Sequence, residues 1–71
     1  MKYIPGTEFA IKKNVRDFEE GTSYRIHHIS PIKEGVEYTF FTQHGKVLMD
    51  FDSIDTAETL INKYSDIAER Q

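Results

Sequence analysis

The stretch VEYTFFTQHGKVLMDF, residues 36–51, contains two runs rich in apolar residues on either side of a turn signal. Apolar and polar residues that alternate with a period of two are typical of a strand with one buried face. His44-Gly45 predicts a two-residue turn between the runs, because glycine adopts positive φ without steric cost. We therefore predict an antiparallel hairpin of two strands, over residues 36–42 and 46–51.

This turn also predicts the register of the hairpin, with Thr42 opposite Val47 and Phe40 opposite Met49. Register matters because a slip of one residue moves every side chain to the other face of the sheet. The alternation in the neighbouring strand is compatible with the same face. We expect the inner face to consist of Tyr24, Ile26, His28, Tyr38, Phe40, Val47, Met49 and Phe51.

Two more strands are predicted upstream of this hairpin. Residues 22–29 form one, joined to the hairpin by the five-residue connection 31–35, and residues 7–15 form the first strand of the chain. The charged segment between these two strands, residues 16–21, contains one apolar residue, Phe18. We expect Phe18 to fold back onto the core as a plug.

An amphipathic helix is predicted at the C-terminal end of the chain. Asp55 is its expected N-cap, with Glu58 completing a capping-box pattern, and Ser53 is the alternative cap. Apolar residues recur there at helical spacing. The predicted buried face is Ala57, Leu60, Ile61, Tyr64, Ile67 and Ala68. The fold class is thus α+β, a single domain over residues 1–71 in which a small antiparallel β-meander of about four strands carries the helix on one face.

The order of strand, charged loop, three-strand meander and terminal helix, opening with PGTEF at residues 5–9, resembles small SH3-like barrels. The resemblance covers residues 6–52. It implies a small barrel, and such barrels serve as protein-binding, nucleic-acid-binding and enzyme-regulating modules alike.

Composition and charge indicate the cellular compartment and the class of partner. The sequence has no cysteine, which favours a reducing compartment, and no apolar run near the roughly 20 residues that a membrane span needs. We expect a cytoplasmic protein. The net charge is −3, with seven basic and six acidic residues in 1–49 but two against six in 50–71. A general nucleic-acid-binding role is disfavoured, and the acidic segment favours a basic protein partner.

The chain offers little that would suit a metal site, a cofactor or catalysis. His27 and His28 are adjacent, but neighbouring side chains on a strand point to opposite faces, so we expect no metal there, with His28 in the core and His27 on the surface. Serines without a nucleophile-elbow pattern and isolated glycines predict no enzyme and no cofactor. Helix capping is the preferred interpretation of the acidic group Asp50, Asp52, Asp55 and Glu58.

The predicted register leaves apolar residues on the outer face of the sheet. Arg25, Phe41 and Leu48 form a row across three strands, beside a second row that contains His27. An exposed apolar patch often marks an interface, and arginine and aromatic residues are enriched in hot spots. The alternative is that the first strand and Phe18 cover this face, or that the sheet closes over it as a barrel.

We expect a small non-enzymatic regulator or inhibitor, of the kind that phages and mobile elements encode, that binds another protein through Arg25, His27, Phe41 and Leu48 and forms a homo-oligomer. One alternative is a nucleic-acid-binding barrel in which aromatic residues stack on bases. Its phosphate contacts would be Lys12, Lys13, Arg16, Arg25 and Lys46. The other alternative is an oligomer that sequesters a small ligand between its subunits.

Overall fold

The computed structural model describes residues 1–68, which form a five-stranded antiparallel sheet and one helix. In chain order the elements are β1 (Glu8–Ile11), β2 (Ser23–Ile32), β3 (Gly35–Thr42), β4 (Gly45–Phe51), α1 (Ile54–Tyr64) and β5 (Ser65–Ile67). The strand order is β4-β3-β2-β1-β5. The predicted α+β meander with a helix on the sheet is confirmed. Within the described residues β4 and β5 do not pair, so the sheet is open and not a closed barrel.

An aromatic core fills the space between the sheet and the helix. Phe18 is 1% exposed, and its ring lies 5.1 Å from that of Tyr24 and 5.5 Å from that of Phe40 between centroids. Phe9 and Phe51 complete this cluster. The charged loop that carries Phe18 therefore folds back as predicted, because its one apolar side chain can be buried among four other rings.

The β3–β4 turn lies one residue earlier than the sequence indicated. Thr42 pairs with Gly45, so Gln43 and His44 are the turn residues, and the predicted His44-Gly45 turn is wrong. The Thr42 hydroxyl accepts a hydrogen bond from the His44 N–H at 3.0 Å and donates one to the Gly45 carbonyl at 3.1 Å. These two bonds favour the earlier turn.

The shifted turn moves the β3–β4 register by two residues. Phe40 lies opposite Val47, and Tyr38 lies opposite Met49. The predicted pairs of Thr42 with Val47 and Phe40 with Met49 are wrong. A slip of two residues keeps every side chain on its original face, so the predicted inner residues of both strands still point into the core.

A β-bulge in β2 overturns the prediction that His28 belongs to the core. Ile26 lies opposite Phe40, but the next pair is His28 with Thr39, so His27 is the extra residue. His28 is therefore turned outwards and exposed. The bulge restores the inward direction at Ile29, which is partly buried against the core.

The other strand boundaries differ because turns and bridges intervene. β2 continues to Ile32, which pairs with Gly35, so the connection to β3 has two residues and not five. Gly35 has φ +145°, and a Cβ at this glycine would clash with the backbone carbonyl of Phe51. β1 ends at Ile11, and Val15 instead bridges Phe18 within the loop.

The C-terminal part of the predicted helix is a strand. α1 ends at Tyr64, and β5 pairs with the free edge of β1, with Phe9 opposite Ile67. Lys12 N–H donates to the Tyr64 carbonyl and Ala68 N–H to the Glu8 carbonyl, both at 2.8 Å. The helix pattern failed here because the segment pairs with the free edge of β1, where its backbone groups find hydrogen-bond partners. Ile67, predicted on the buried helix face, is 38% exposed.

Ser53 caps the helix, as the alternative prediction had it. Its hydroxyl accepts a hydrogen bond from Thr56 N–H at 3.1 Å, and Asp55 lies in the first turn. Glu58 does not complete a capping box, because one of its oxygens accepts from the backbone N–H groups of Lys2 at 2.6 Å and Tyr3 at 2.8 Å. The side chain thus fixes the N-terminal segment to the helix. Between residues 1 and 68, no helix has the length and apolar character that crossing a membrane requires.

Candidate binding face

The outer face of the sheet, opposite the helix, presents a row of three residues from three strands. Arg25 of β2 lies directly opposite Phe41 of β3, which lies directly opposite Lys46 of β4. All three are exposed. An aromatic ring between two cations is therefore displayed in the middle of a rigid sheet, and directly opposed residues on one face of a sheet are close enough to interact.

The bulge brings a second ring onto this row. The imidazole of His27 stacks on the phenyl ring of Phe41, with centroids 4.3 Å apart and 24° between the planes. The sequence placed His27 on this face by simple alternation and could not predict the stack, because the stack depends on the bulge. The two rings cover each other's facing sides and form one aromatic pair on the outer face.

Leu48 lies near this pair but in a different position from the predicted one. The two-residue slip puts it opposite Thr39, diagonal to Phe41. Leu48 is 52% exposed and Phe41 is 37% exposed. The alternative in which the first strand and Phe18 cover this face is wrong, because β1 lies beside β2 in the sheet and Phe18 is in the core. The four residues predicted as a binding site are all exposed: Arg25, His27, Phe41 and Leu48. We call this set of four residues the Phe41 patch.

A shallow groove of about 380 Å³ adjoins the Phe41 patch. Arg25 and Phe41 form part of its wall, and Glu8, Ser23 and Gln43 supply polar side chains. Glu8 lies opposite Arg25 in the β1–β2 register, so a carboxylate and a guanidinium flank the groove. Glu8 and Ser23 were missed in the sequence because their positions depend on the β1–β2 register across a long charged loop, and Gln43 was missed because the β3–β4 turn was predicted one residue later.

Charges on the outer face are mixed. Arg25 and Lys46 are accompanied by Glu8, Glu37 and Asp50, which lie at outward positions of β1, β3 and β4. Two described acidic residues of the C-terminal segment have different partners. Glu58 binds the N-terminal backbone, and Asp66 pairs with Lys12 at 3.4 Å with both side chains more than half exposed. Such an exposed ion pair contributes little to stability.

The two histidines are both exposed at the bulge. The sequence argument that alternation separates them therefore does not hold at this point of the strand. No cluster of three or more histidine, cysteine, aspartate or glutamate side chains suited to a metal ion occurs in residues 1–68.

Tyr38 is a titratable group in the core. Its ring is fully buried, stacked on Phe40 at 5.5 Å and edge-on to Phe51 at 5.4 Å. Its hydroxyl has no hydrogen-bond partner in the described part of the chain. Burial raises the pKa of Tyr38 to about 12, and the negative charge of Glu58 adds to this effect. The phenol is therefore neutral at physiological pH and takes no part in the outer face.

Fold and face together define a small α+β domain that displays an aromatic and cationic patch on an uncovered sheet. Comparisons with protein-family models, curated proteins and solved structures found no match. The function is accordingly inferred from the residues of the outer face.

Proposed function

We propose that this protein is a non-enzymatic module that binds another protein through the Phe41 patch. The observation that carries the proposal is the exposure of Phe41 and Leu48 on the sheet face opposite the helix, with His27 stacked on Phe41. Aromatic residues and arginine are the types enriched at interfaces, and the patch combines Phe41 with Arg25. A rigid sheet holds these side chains in place, which lowers the entropy lost on binding.

The groove beside the patch indicates how a partner would be oriented on the outer face. A partner side chain that enters it would meet the Phe41 ring on one wall and the guanidinium of Arg25 on another. At the other end of the patch, Asp50 on the outer face and the exposed Asp52 favour basic residues in the partner. The partner surface we propose therefore combines an apolar anchor with basic groups on one side.

A domain of 71 residues with such a face suits a regulator or inhibitor that works by covering a site on a larger protein. Phages and mobile elements encode proteins of this kind, and we propose that origin and role here. The cysteine-free sequence suits a reducing compartment, so we place the interaction in the cytoplasm.

Phe40 and Phe41 provide a matched test, because they are adjacent on β3 and point to opposite faces. Phe41→Ala should unfold cooperatively near the wild-type midpoint, whereas Phe40→Ala removes a fully buried ring and should lose about 3 to 5 kcal/mol of stability. The partner is first isolated from host lysate with immobilised wild type and identified. Its dissociation constant is then measured for each folded variant by calorimetry.

Phe41→Ala and Leu48→Ala should each raise that dissociation constant about 30-fold, which corresponds to about 2 kcal/mol for a hot spot. Ile4→Ala is the control, because Ile4 is 59% exposed but lies in the N-terminal segment, in a separate groove beside Ile67 of β5. If Ile4→Ala weakens binding as much as Phe41→Ala, or if Phe41→Ala unfolds the protein, the assignment of the patch is wrong.

A nucleic-acid-binding role is the second candidate, and the row Arg25, Phe41 and Lys46 favours it. Two cations beside an exposed ring that already stacks on His27 resemble a base-stacking platform. Lys12 and Arg16 are less available than that hypothesis needs, because Lys12 pairs with Asp66 and Arg16 contacts β4.

Salt dependence separates the two roles. Fluorescence anisotropy with a labelled single-stranded oligonucleotide would show an affinity that falls steeply with salt if phosphate contacts dominate. Under protein binding, the oligonucleotide should not bind at physiological ionic strength, and the affinity for the protein partner should depend mainly on the apolar residues.

A further inference from the structure

β4 is an uninterrupted edge strand of the sheet. Its seven residues pair with β3 on one side without a register shift, and within residues 1–68 no strand pairs with its other side. Natural edge strands are commonly shortened, interrupted by proline or a bulge, covered by a loop, or given charged side chains. β4 is neither shortened nor interrupted; its charged residues are Lys46 and Asp50, Arg16 of the loop contacts it at Asp50, and Leu48 in its middle is 52% exposed.

The hydrogen bonds of Ile26 identify which backbone groups of β4 are free. Ile26 donates its N–H to the Thr7 carbonyl at 2.9 Å, and its carbonyl accepts from the Gly6 N–H at 2.7 Å. Both groups thus point away from β3, and Ile26 and Phe40 form a non-hydrogen-bonded pair. Phe40 therefore points its own backbone groups towards β4, where it faces Val47.

Alternation along β4 then directs the N–H and carbonyl groups of Lys46, Leu48 and Asp50 to the free edge. A separate contact agrees with this direction. The guanidinium of Arg16 approaches from the loop and donates to the Asp50 carbonyl at 3.1 Å. The backbone groups of Lys46 and Leu48 face the same edge.

The three residues with outward backbone groups form a self-complementary pattern. In an antiparallel pair of two β4 strands centred on Leu48, Lys46 lies opposite Asp50 of the second copy, and Asp50 lies opposite its Lys46. The two Leu48 side chains meet at the centre. All six side chains share the outer face, because a two-fold axis perpendicular to the sheet keeps the same face of both copies on one side.

Neighbouring registers lose this complementarity. A centre at Val47 or Met49 places Lys46 or Asp50 opposite Leu48, and a centre at Lys46 or Asp50 places like charges opposite each other. The Asp50 carbonyl already accepts from Arg16, but a carbonyl oxygen has two lone pairs and can accept a second bond.

We propose that β4 pairs with β4 of a second copy in this register, which produces a homodimer with a continuous ten-stranded sheet. The dimer goes beyond the proposed partner binding and does not depend on it. It gives a chain of 71 residues additional apolar burial, which short chains need because they bury a small fraction of their surface alone.

Charge reversal tests the register directly. Lys46→Asp places two aspartates opposite each other at both ends of the paired strands, and Asp50→Lys does the same with lysines. Each single variant should raise the dimer dissociation constant about ten- to hundred-fold, measured by sedimentation equilibrium up to millimolar concentration. Lys13→Asp changes the net charge equally in the exposed loop between β1 and β2 and should leave the constant unchanged.

An equimolar mixture of Lys46→Asp and Asp50→Lys should restore dimers, because each copy then meets opposite charges at both positions. The double variant Lys46→Asp/Asp50→Lys should also dimerise. This rescue would show that neither single variant was simply misfolded. The proposal is overturned by a wild type that stays monomeric, by a dimer that the single variants leave intact, or by single variants whose mixture stays monomeric.

Discussion

Replacing Tyr38 with phenylalanine should stabilise the protein, which is the opposite of the usual effect of removing a buried polar group. The hydroxyl is buried and has no hydrogen-bond partner within residues 1–68. A buried hydroxyl without a partner costs about 1 to 3 kcal/mol in lost hydration. Phenylalanine keeps the stacking on Phe40 and the edge contact with Phe51. The small gap left by the oxygen offsets part of the gain, so we expect a net stabilisation of about 1 kcal/mol.

Tyr24 supplies the matched control. Its ring is also buried among aromatic side chains, but its hydroxyl accepts a hydrogen bond from the Glu19 N–H at 2.9 Å. Tyr24→Phe removes that acceptor and should cost about 1 kcal/mol. Urea denaturation followed by circular dichroism measures both free energies of unfolding, and for a domain of this size 1 kcal/mol corresponds to a shift in Tm of about 4 to 8 °C.

The raised pKa of Tyr38 adds a second signature of the same environment. Because this pKa is about 12 in the folded state and about 10 in an unfolded chain, the neutral phenol is favoured by folding. The contribution is fully present below pH 10 and is lost as the pH rises from 10 to 12. Over that window the wild type should lose roughly 2 to 3 kcal/mol more stability than Tyr38→Phe. A destabilised Tyr38→Phe protein would refute the unpartnered state of the hydroxyl, and identical pH profiles would refute its burial.

Two further pairs of substitutions test the local structure, each by its change in unfolding free energy. Ser53→Ala should lower the free energy of unfolding by about 1 kcal/mol, because it removes the N-cap. Asp55→Ala should lower it by about half as much or less, because Asp55 only complements the helix dipole. Equal or reversed losses would make Asp55 the cap. Gly35→Ala should cost about 1 to 3 kcal/mol more than Gly45→Ala, because both residues have positive φ but only a Cβ at Gly35 meets the backbone at the end of β4. Equal losses for the two glycine variants would show that conformation alone, and not the close approach of β4, limits residue 35.

The sequence predicted which face of the sheet a side chain occupies better than it predicted which residues lie opposite each other on neighbouring strands. Alternation in β3 and β4 placed Tyr38, Phe40 and Met49 in the core, and all three are buried. The turn position was wrong by one residue, because the Thr42 hydroxyl stabilises a turn that glycine spacing alone does not indicate. The resulting register error was two residues, which leaves the faces unchanged.

His28 and Ile67 show where local patterns cannot suffice. His28 was predicted to be buried by alternation, but a bulge is a feature of two strands together and leaves no mark in either one. Ile67 has the spacing of a helix residue, yet the free edge of β1 takes up that segment as a strand. Both errors come from tertiary pairing that overrides a correct local periodicity.

The exposure of the Phe41 patch could be predicted, because it depends only on which face of the sheet each side chain occupies. The groove beside the patch could not be predicted, because it depends on the β1–β2 register. Phe40 and Phe41 are neighbours on β3, and Leu48 and Met49 are neighbours on β4. Because successive side chains of a strand point to opposite faces, one residue of each pair is buried and the other is exposed. Only the pairing of Glu8 with Arg25 places a carboxylate beside the groove. No residue pattern upstream of Phe18 fixes that pair.

Leu48 belongs to both proposed surfaces, and this position links them. It is part of the Phe41 patch on the outer face and lies at the centre of the proposed β4 pair. Because the two-fold axis is perpendicular to the sheet, a dimer would join two copies of the patch across the Leu48 side chains on one continuous face. A partner with two binding sites would then bind more tightly through effective concentration, without any new contact. Phe41 substitutions should therefore weaken each single contact, whereas charge reversal at Lys46 should remove the gain from having two binding sites.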